Sequence, residues 1–150
     1  MEEYIHQSNL IEDINSEKAD EQSIKAWKWL EKRKTITEAV VKELHGKITE
    51  SQASLRDHER GQYRVSDVMV GGRLCPSWRL VPELMNNWFL DFRMKEPIIN
   101  HVFFEKIHPF ADGNGRTGRM LMWWQEKNIG QKPTLIKLDE RQDYYQWFTN

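Results

Sequence analysis

The sequence predicts an all-α domain interrupted by one small β-hairpin. Three observations carry that expectation. Apolar residues recur at three- and four-residue spacing through most of the chain, the period of a helix with one buried face. One stretch breaks the period, where Val65, Val68 and Val70 precede Gly71-Gly72, a hairpin turn signal. Two helical patterns flank a short glycine-rich loop near residue 113.

The elements follow in order. Met1 to Asn15 is short and mixed. By residue type alone, Ser8-Asn9-Leu10-Ile11-Glu12 reads as a capped helix start with a surface carboxylate. Glu17 to Lys34 reads as a helix with Ile24, Trp27 and Leu30 on one stripe. Thr37 can cap the next, where Ala39, Val40, Leu44 and Ile48 recur. His45 has no partner at metal spacing, so it reads as a structural or exposed side chain. Tyr63 to Leu74 is the hairpin. Pro76 and Pro82 frame its exit, and Leu84, Trp88, Phe89 and Phe92 make a further stripe. Pro97 restarts the helix, and Ile98, Val102, Phe103 and Phe104 carry it to His108. His101 lies there without a motif. The helix Arg116 to Lys127 ends at Asn128-Ile129-Gly130. Pro133 opens the next connection, and Asp139 is the expected cap of a last helix with Arg141, Tyr144, Tyr145 and Trp147. The chain stops at Asn150, early for such a helix, as a shortened chain would.

Bulk properties set bounds. A length of 150 residues suits one domain with one core. Hydrophobic content of 39% and charged content of 30% fit a globular protein. The net charge of -1 gives no reason to expect nucleic acid or an anionic membrane as partner. A single cysteine, Cys75, excludes an internal disulfide, fits a reducing compartment and reads as a packing residue. No apolar run is long enough to span a bilayer and no signal-peptide pattern opens the chain. Cytoplasmic residence is the expectation, with export to a host left open. Seven tryptophans are expected to fill or cover the core.

The chemistry concentrates in His108-Pro109-Phe110-Ala111-Asp112-Gly113-Asn114-Gly115-Arg116-Thr117-Gly118-Arg119. A helix starting here offers unpaired N–H groups and a positive dipole end, which attract anions. Glycines let the backbone approach phosphate oxygens. Asp112 can hold a divalent cation shared with a polyphosphate. Arg116 and Arg119 offer planar donor forks, and His108 can take a proton near neutral pH.

This stretch resembles, at every defining position, the motif of the Fic family, His-x-Phe-x-Asp/Glu-Gly-Asn-Gly-Arg-x-x-Arg. Most Fic proteins move AMP from ATP onto a hydroxyl of a target protein. The resemblance implies a Fic-type helical bundle over residues 1–150 and a role for each motif residue. His108 is the general base and Asp112 the ligand of Mg²⁺. Gly113, Asn114 and Gly115 form the anion-binding loop. Arg116 contacts the phosphate chain and Arg119 the γ-phosphate, while Phe110 points inward. Tyr144 and Tyr145 match a pair that lines the nucleotide pocket in relatives, although such a pair on a helix is usually core. Gly61-Gln62-Tyr63-Arg64 resembles the start of the family's flap, whose edge pairs with an extended target segment. Val68, Met69, Val70 and Gly71 are the candidate edge, and the docked target can be the chain itself.

Some Fic proteins place an inhibitory helix with the pattern Ser/Thr-x-x-x-Glu-Gly/Asn before the core. Ser8 and Glu12, within residues 1–20, match that N-terminally inhibited class, and Asp13 departs from its last position. Glu12 would then pair with Arg119 and regulate ATP binding. Three alternatives stand beside AMP transfer. One Fic branch phosphorylates its target, but it departs from Gly-Asn-Gly. Some Glu-containing relatives hydrolyse AMP-modified protein. A non-catalytic scaffold or antitoxin-type partner is the third, opposed by the intact His108, Asp112, Asn114 and both arginines.

Overall fold

Helix α6, Asn114–Asn128, is the axis of the fold: from Arg116 to Glu126 every residue is buried. A helix without a polar face has to be surrounded, and here α5 (Pro97–Ile107), α3 (Glu38–Ile48) and α1 (Glu2–Ile11) pack around it. Helix α2 (Glu17–Leu30) backs α1 and α3, and α4 (Val81–Asp91) backs α5. A short α7, Arg141–Gln146, follows a 3₁₀ turn at Leu138–Glu140. Strands β1 (Met69–Val70) and β2 (Arg73–Leu74) form the only sheet among the described residues. The computed structural model describes residues 1–149, so the chain end at Asn150 lies outside them. Among them no helix is long and apolar enough to cross a membrane.

Local chemistry sets most boundaries. Ser16 Oγ accepts the Ala19 N–H at the start of α2, and Thr37 Oγ1 accepts that of Val40 at the start of α3. Pro82 and Pro97 stand in the first turns of α4 and α5, where no amide hydrogen is needed. The turn between β1 and β2 puts Gly71 at φ 54° and Gly72 at φ 76°, as a two-residue hairpin turn requires. Trp27, Trp88, Trp123 and Trp124 are buried in the core, and Cys75 is buried beside the hairpin.

Several expectations need correction. Helix α2 stops at Leu30, short of Lys34. The inward face of α3 is Val41, Leu44, His45 and Ile48, with Ala39 exposed. In α5, Ile98 and Phe103 face outward, and Asn100, His101, Phe104 and Ile107 face inward. Hydropathy misplaced this face because polar atoms on it find hydrogen-bond partners inside, although Asn100 Oδ1 and His101 Nδ1 do not. Asn100 Nδ2 donates to Phe92 O and Gln125 Oε1, and His101 Nε2 lies 2.8 Å from Tyr144 Oη. The hairpin is shorter than Tyr63–Leu74, each strand holding two residues. Asp139 caps nothing: the Lys137 N–H bonds the Glu140 carboxylate instead.

Candidate active site

His108 ends α5 in the left-handed region, at φ 52° and ψ 63°. That conformation is costly for a histidine and unusual before proline, so something must hold it. Arg64 does so. Its guanidinium donates to the carbonyls of His108 (2.7 Å), Ile107 (3.2 Å), Ser66 (3.0 Å) and Pro76 (2.6 Å). Its own N–H bonds Pro109 O at 2.9 Å. One buried side chain thus ties the root of the hairpin to the end of α5, capping the last carbonyls of that helix. Burial lowers the His108 pKa to about 4, helped by Arg64 and opposed by the Glu105 carbonyl. The ring is therefore a neutral base at physiological pH.

The next turn is closed by Asn114. Its Oδ1 accepts the Phe110 N–H at 2.9 Å and its Nδ2 donates to Phe110 O at 2.8 Å. Phe110 is fully buried and stacks on His45, with ring centroids 3.8 Å apart. His45 Nε2 donates to Asp112 O at 2.8 Å, and its Nδ1 accepts the Gly61 N–H at 2.9 Å. Those two bonds require the neutral tautomer, which burial secures by lowering the pKa to about 4. His45 is therefore structural, as expected, yet it joins α3, the hairpin root and the loop. Gly113 begins α6 at φ 80°, and no side chain caps the helix. Gly113, Asn114 and Gly115 line the cavity, and uncapped amides at a helix start can attract an anion.

Arg119, one turn into α6, is 1% exposed and meets the end of α1. Its Nε donates to Ser8 Oγ at 2.7 Å, and its Nη2 donates to Ser8 O at 3.0 Å and Glu12 Oε1 at 2.7 Å. Its Nη1 donates to Tyr144 Oη at 2.9 Å. The Glu12 carboxylate lies against Gly115, where a β-carbon would collide with Oε1. Glu12 is thus seated at the N-terminus of α6. Asp13 takes φ 58°, the left-handed residue after α1. Glycine and asparagine favour that conformation and aspartate tolerates it, so the departure at Asp13 keeps the geometry. Its Oδ1 accepts from Arg141 Nη1 at 3.0 Å, tying α1 to α7.

Asp112 is held from a segment that the sequence did not single out. Its Oδ1 accepts the Gly113 N–H at 2.7 Å, and its Oδ2 accepts from Ser54 Oγ at 2.8 Å and Gln52 Nε2 at 2.5 Å. Gln52 Oε1 accepts from Arg116 Nη2. Arg116 is buried beside this amide and is not part of the cavity lining, unlike the other motif residues expected there. Among the described residues no three His, Cys, Asp or Glu side chains gather for a metal. A single exposed carboxylate beside a helix N-terminus fits Mg²⁺, which takes most of its ligands from phosphates and water.

A cavity of about 720 Å³ joins these parts. Glu12, His108, Asp112, Gly113, Asn114, Gly115 and Arg119 line one side, and Tyr144 and Tyr145 line the end. Met69, Val70 and Gly71 border it from the hairpin; Val68 does not, and its carbonyl instead accepts the Cys75 N–H. Arg73 and Glu105 also line it, and sequence reasoning missed both because neither belongs to the motif. Arg64 and His45 were legible as residues but not as supports. Their partners are distant in sequence.

A bare helix N-terminus opening beside a neutral histidine, on a helical domain with one small hairpin, defines the class of fold to compare. The sequence profile of the Fic/DOC family matches residues 35–125. The chain belongs to that family. It is 32% identical over 127 residues to the protein adenylyltransferase Fic of Nematostella vectensis, covering 79% of this chain and 29% of that relative. The corresponding protein of Aedes aegypti is 36% identical over 98 residues, 59% of this chain and 20% of its own. The chain thus spans less than a third of the length of these relatives. Among solved structures, Fic-1 from C. elegans matches with a TM-score of 0.76 at 18% identity, covering 95% of this chain and 52% of that one. A Fic family protein from Desulfovibrio desulfuricans matches with a TM-score of 0.72 at 24% identity, covering 97% and 55%. Both show the same fold.

Proposed function

We propose that residues 1–150 form one Fic domain that transfers AMP from Mg-ATP to a protein hydroxyl, with Glu12 as its restraint. The carrying observation is the single cavity that joins His108, the open end of α6 and Arg119 to the exposed hairpin edge. The names of the relatives, protein adenylyltransferases, support the same reading.

In this reading the α6 amides and Arg119 bind the phosphates, and Tyr144 and Tyr145 wall the nucleoside end. Arg116 reaches the phosphate chain once Gln52 releases it. Asp112 would hold Mg²⁺, which supplies charge neutralisation on the leaving pyrophosphate. The target docks along Met69–Gly71, next to Val68, and presents a Ser, Thr or Tyr hydroxyl. His108 takes the hydroxyl proton as the oxygen attacks the α-phosphorus and the bond to pyrophosphate breaks. Target and enzyme can be the same chain.

Glu12 occupies the Arg119 guanidinium, the partner of the γ-phosphate. Its displacement sets a bias of about 1–3 kcal/mol, or ~5–150-fold in effective affinity. A second reading is hydrolysis of AMP-modified protein, favoured by the seating of Glu12 inside the cavity, where it could orient water.

The test is incubation with Mg²⁺ and ATP radiolabelled at the α-phosphorus, comparing the parent, Glu12→Gly, and Glu12→Gly with His108→Ala. Label strong in Glu12→Gly and roughly 10²–10⁴-fold weaker in the double variant is the expected result. Equal label in the last two removes His108 as base. No label but intact ATP binding turns the assignment to hydrolysis, and absence of both leaves a scaffold.

A further inference from the structure

The last turn of α5 leaves two polar side-chain atoms without a partner at hydrogen-bond distance. His108 Nδ1 and Glu105 Oε1 are both buried without a hydrogen-bond partner. Nδ1 lies 3.9 Å from Glu105 Oε2, on the same face of the helix. Buried orphans are rare because desolvation goes uncompensated, and one persistent cause is a catalytic role. Glu105 also lines the cavity and lies outside the twelve-residue motif.

We propose that Glu105 is the positioning residue for His108: a carboxyl oxygen accepts the Nδ1 proton, which leaves Nε2 as the nitrogen that receives the hydroxyl proton. The inference rests on the transfer reading above. Closing the gap by about 1 Å brings the two groups to charge-assisted bonding distance. As the hydroxyl oxygen bonds to phosphorus, its proton passes to Nε2 and the ring becomes imidazolium. The Nδ1 proton stays on the ring and is held by Glu105, which stabilises the new charge.

The resting state explains why the bond is open before reaction. His108 is neutral, with its pKa at about 4. Burial raises Glu105 to about 8, opposed by Arg119 of α6 and reinforced by Glu12 at the end of α1. Tyr144 of α7 and Cys75 beyond β2 also face Glu105, and Arg64 faces His108. A neutral ring and a neutral carboxyl attract each other weakly. A second acceptor also faces Nδ1, the backbone carbonyl of Glu105. Substituting the side chain leaves that carbonyl in place, which separates the two.

The test uses the full chain with Glu105→Gln and Glu105→Asp. The His108 Cε1–H resonance is titrated by NMR, and kcat and KM for ATP are measured in the Glu12→Gly background. The parent should show an upper inflection near 8, where the ring senses Glu105 ionise. Glu105→Gln should lose it, and Glu105→Asp should keep it. Measured above about pH 8, where Glu105 is ionised, the Gln variant should lose about tenfold or more in kcat, with KM for ATP within about twofold and partial rescue by Asp. An upper inflection that survives Glu105→Gln, or an unchanged kcat, overturns the proposal and leaves orientation to the carbonyl. No transfer by any chain, with the inflection present in the parent and absent in Glu105→Gln, removes the transfer reading and keeps the pairing.

Discussion

The cavity has two unlike walls. On the Arg119 side the arginine is 1% exposed and is met by buried Ser8 and Tyr144 and by the Glu12 carboxylate at the cavity mouth. On the hairpin side, Met69 is 65% and Leu74 64% exposed, and the strands are held by backbone bonds. The first wall fixes its donors in a low-dielectric setting, which suits one small, charged, invariant ligand. The second offers a strand edge whose bonds take any sequence, which suits a variable peptide. Precision is built from buried side chains and tolerance from exposed backbone.

The strongest way to break that contrast is to remove the arginine. Arg119→Ala in a Glu12→Gly background should weaken ATP binding by roughly 30-fold or more, since truncating a buried charge partner costs about 2–5 kcal/mol. Calorimetric titration with Mg-ATP reads it directly, and an unchanged affinity would mean that this wall does not bind phosphate.

The buried wall should also carry the pH dependence of stability. His45, His101 and His108 have pKa values lowered from 6.5 to about 4, about 3 and about 4 by burial. Between roughly pH 4 and 6.5 the unfolded chain binds protons that the fold refuses, so stability rises with pH. Glu105 works oppositely: its pKa is raised from 4.5 to about 8, so the fold keeps a proton that the unfolded chain releases. Below 6.5 the three histidines outweigh Glu105 and Glu126, whose carboxyl burial also raises. Above it Glu105 acts first, and the raised Cys75 thiol and the Tyr63, Tyr144 and Tyr145 phenols act in the same direction at more alkaline pH. Urea midpoints should therefore peak near pH 6.5. A flat profile on the acid side would show that the histidines charge freely in the fold.

A smaller effect sharpens the other wall. Val70 pairs with Arg73, and Val68 bonds Cys75, so the Met69 backbone between them points outward. Met69→Pro should cut transfer to a protein target about 2–10-fold, the worth of one hydrogen bond, without changing ATP affinity. Met69→Thr keeps the amide and should stay within about twofold. A larger loss with threonine would mean that side chains, not backbone, read the target.

Smallest is the turn after Glu12. Asp13→Asn suits the left-handed conformation and should change stability by less than about 0.5 kcal/mol. Asp13→Val should cost about 1–2 kcal/mol. Thermal melts of both check whether φ, rather than the aspartate's charge, governs this position.

Fold class, the course of most helices and the motif were legible along the chain, because these depend on short-range periodicity and on residues close in sequence. His108 to Arg119 lie together because one loop and one helix start keep consecutive positions close, and half of them line one cavity. Ser8 and Glu12 were legible only as a pattern; their seat against Arg119 and Gly115 depends on α1 packing on α6. Packing in three dimensions settles which face of α5 is buried, because Asn100 and His101 find partners on α4, α6 and α7 that hydropathy cannot see. It alone placed Arg64 under the His108 turn, His45 between Gly61 and Asp112, and Gln52 between Asp112 and Arg116. It also brought Arg73 and Glu105 to the cavity. Each of these depends on where a polar group goes for its hydrogen bond once water is excluded, and the linear pattern of apolar and polar residues does not record that choice.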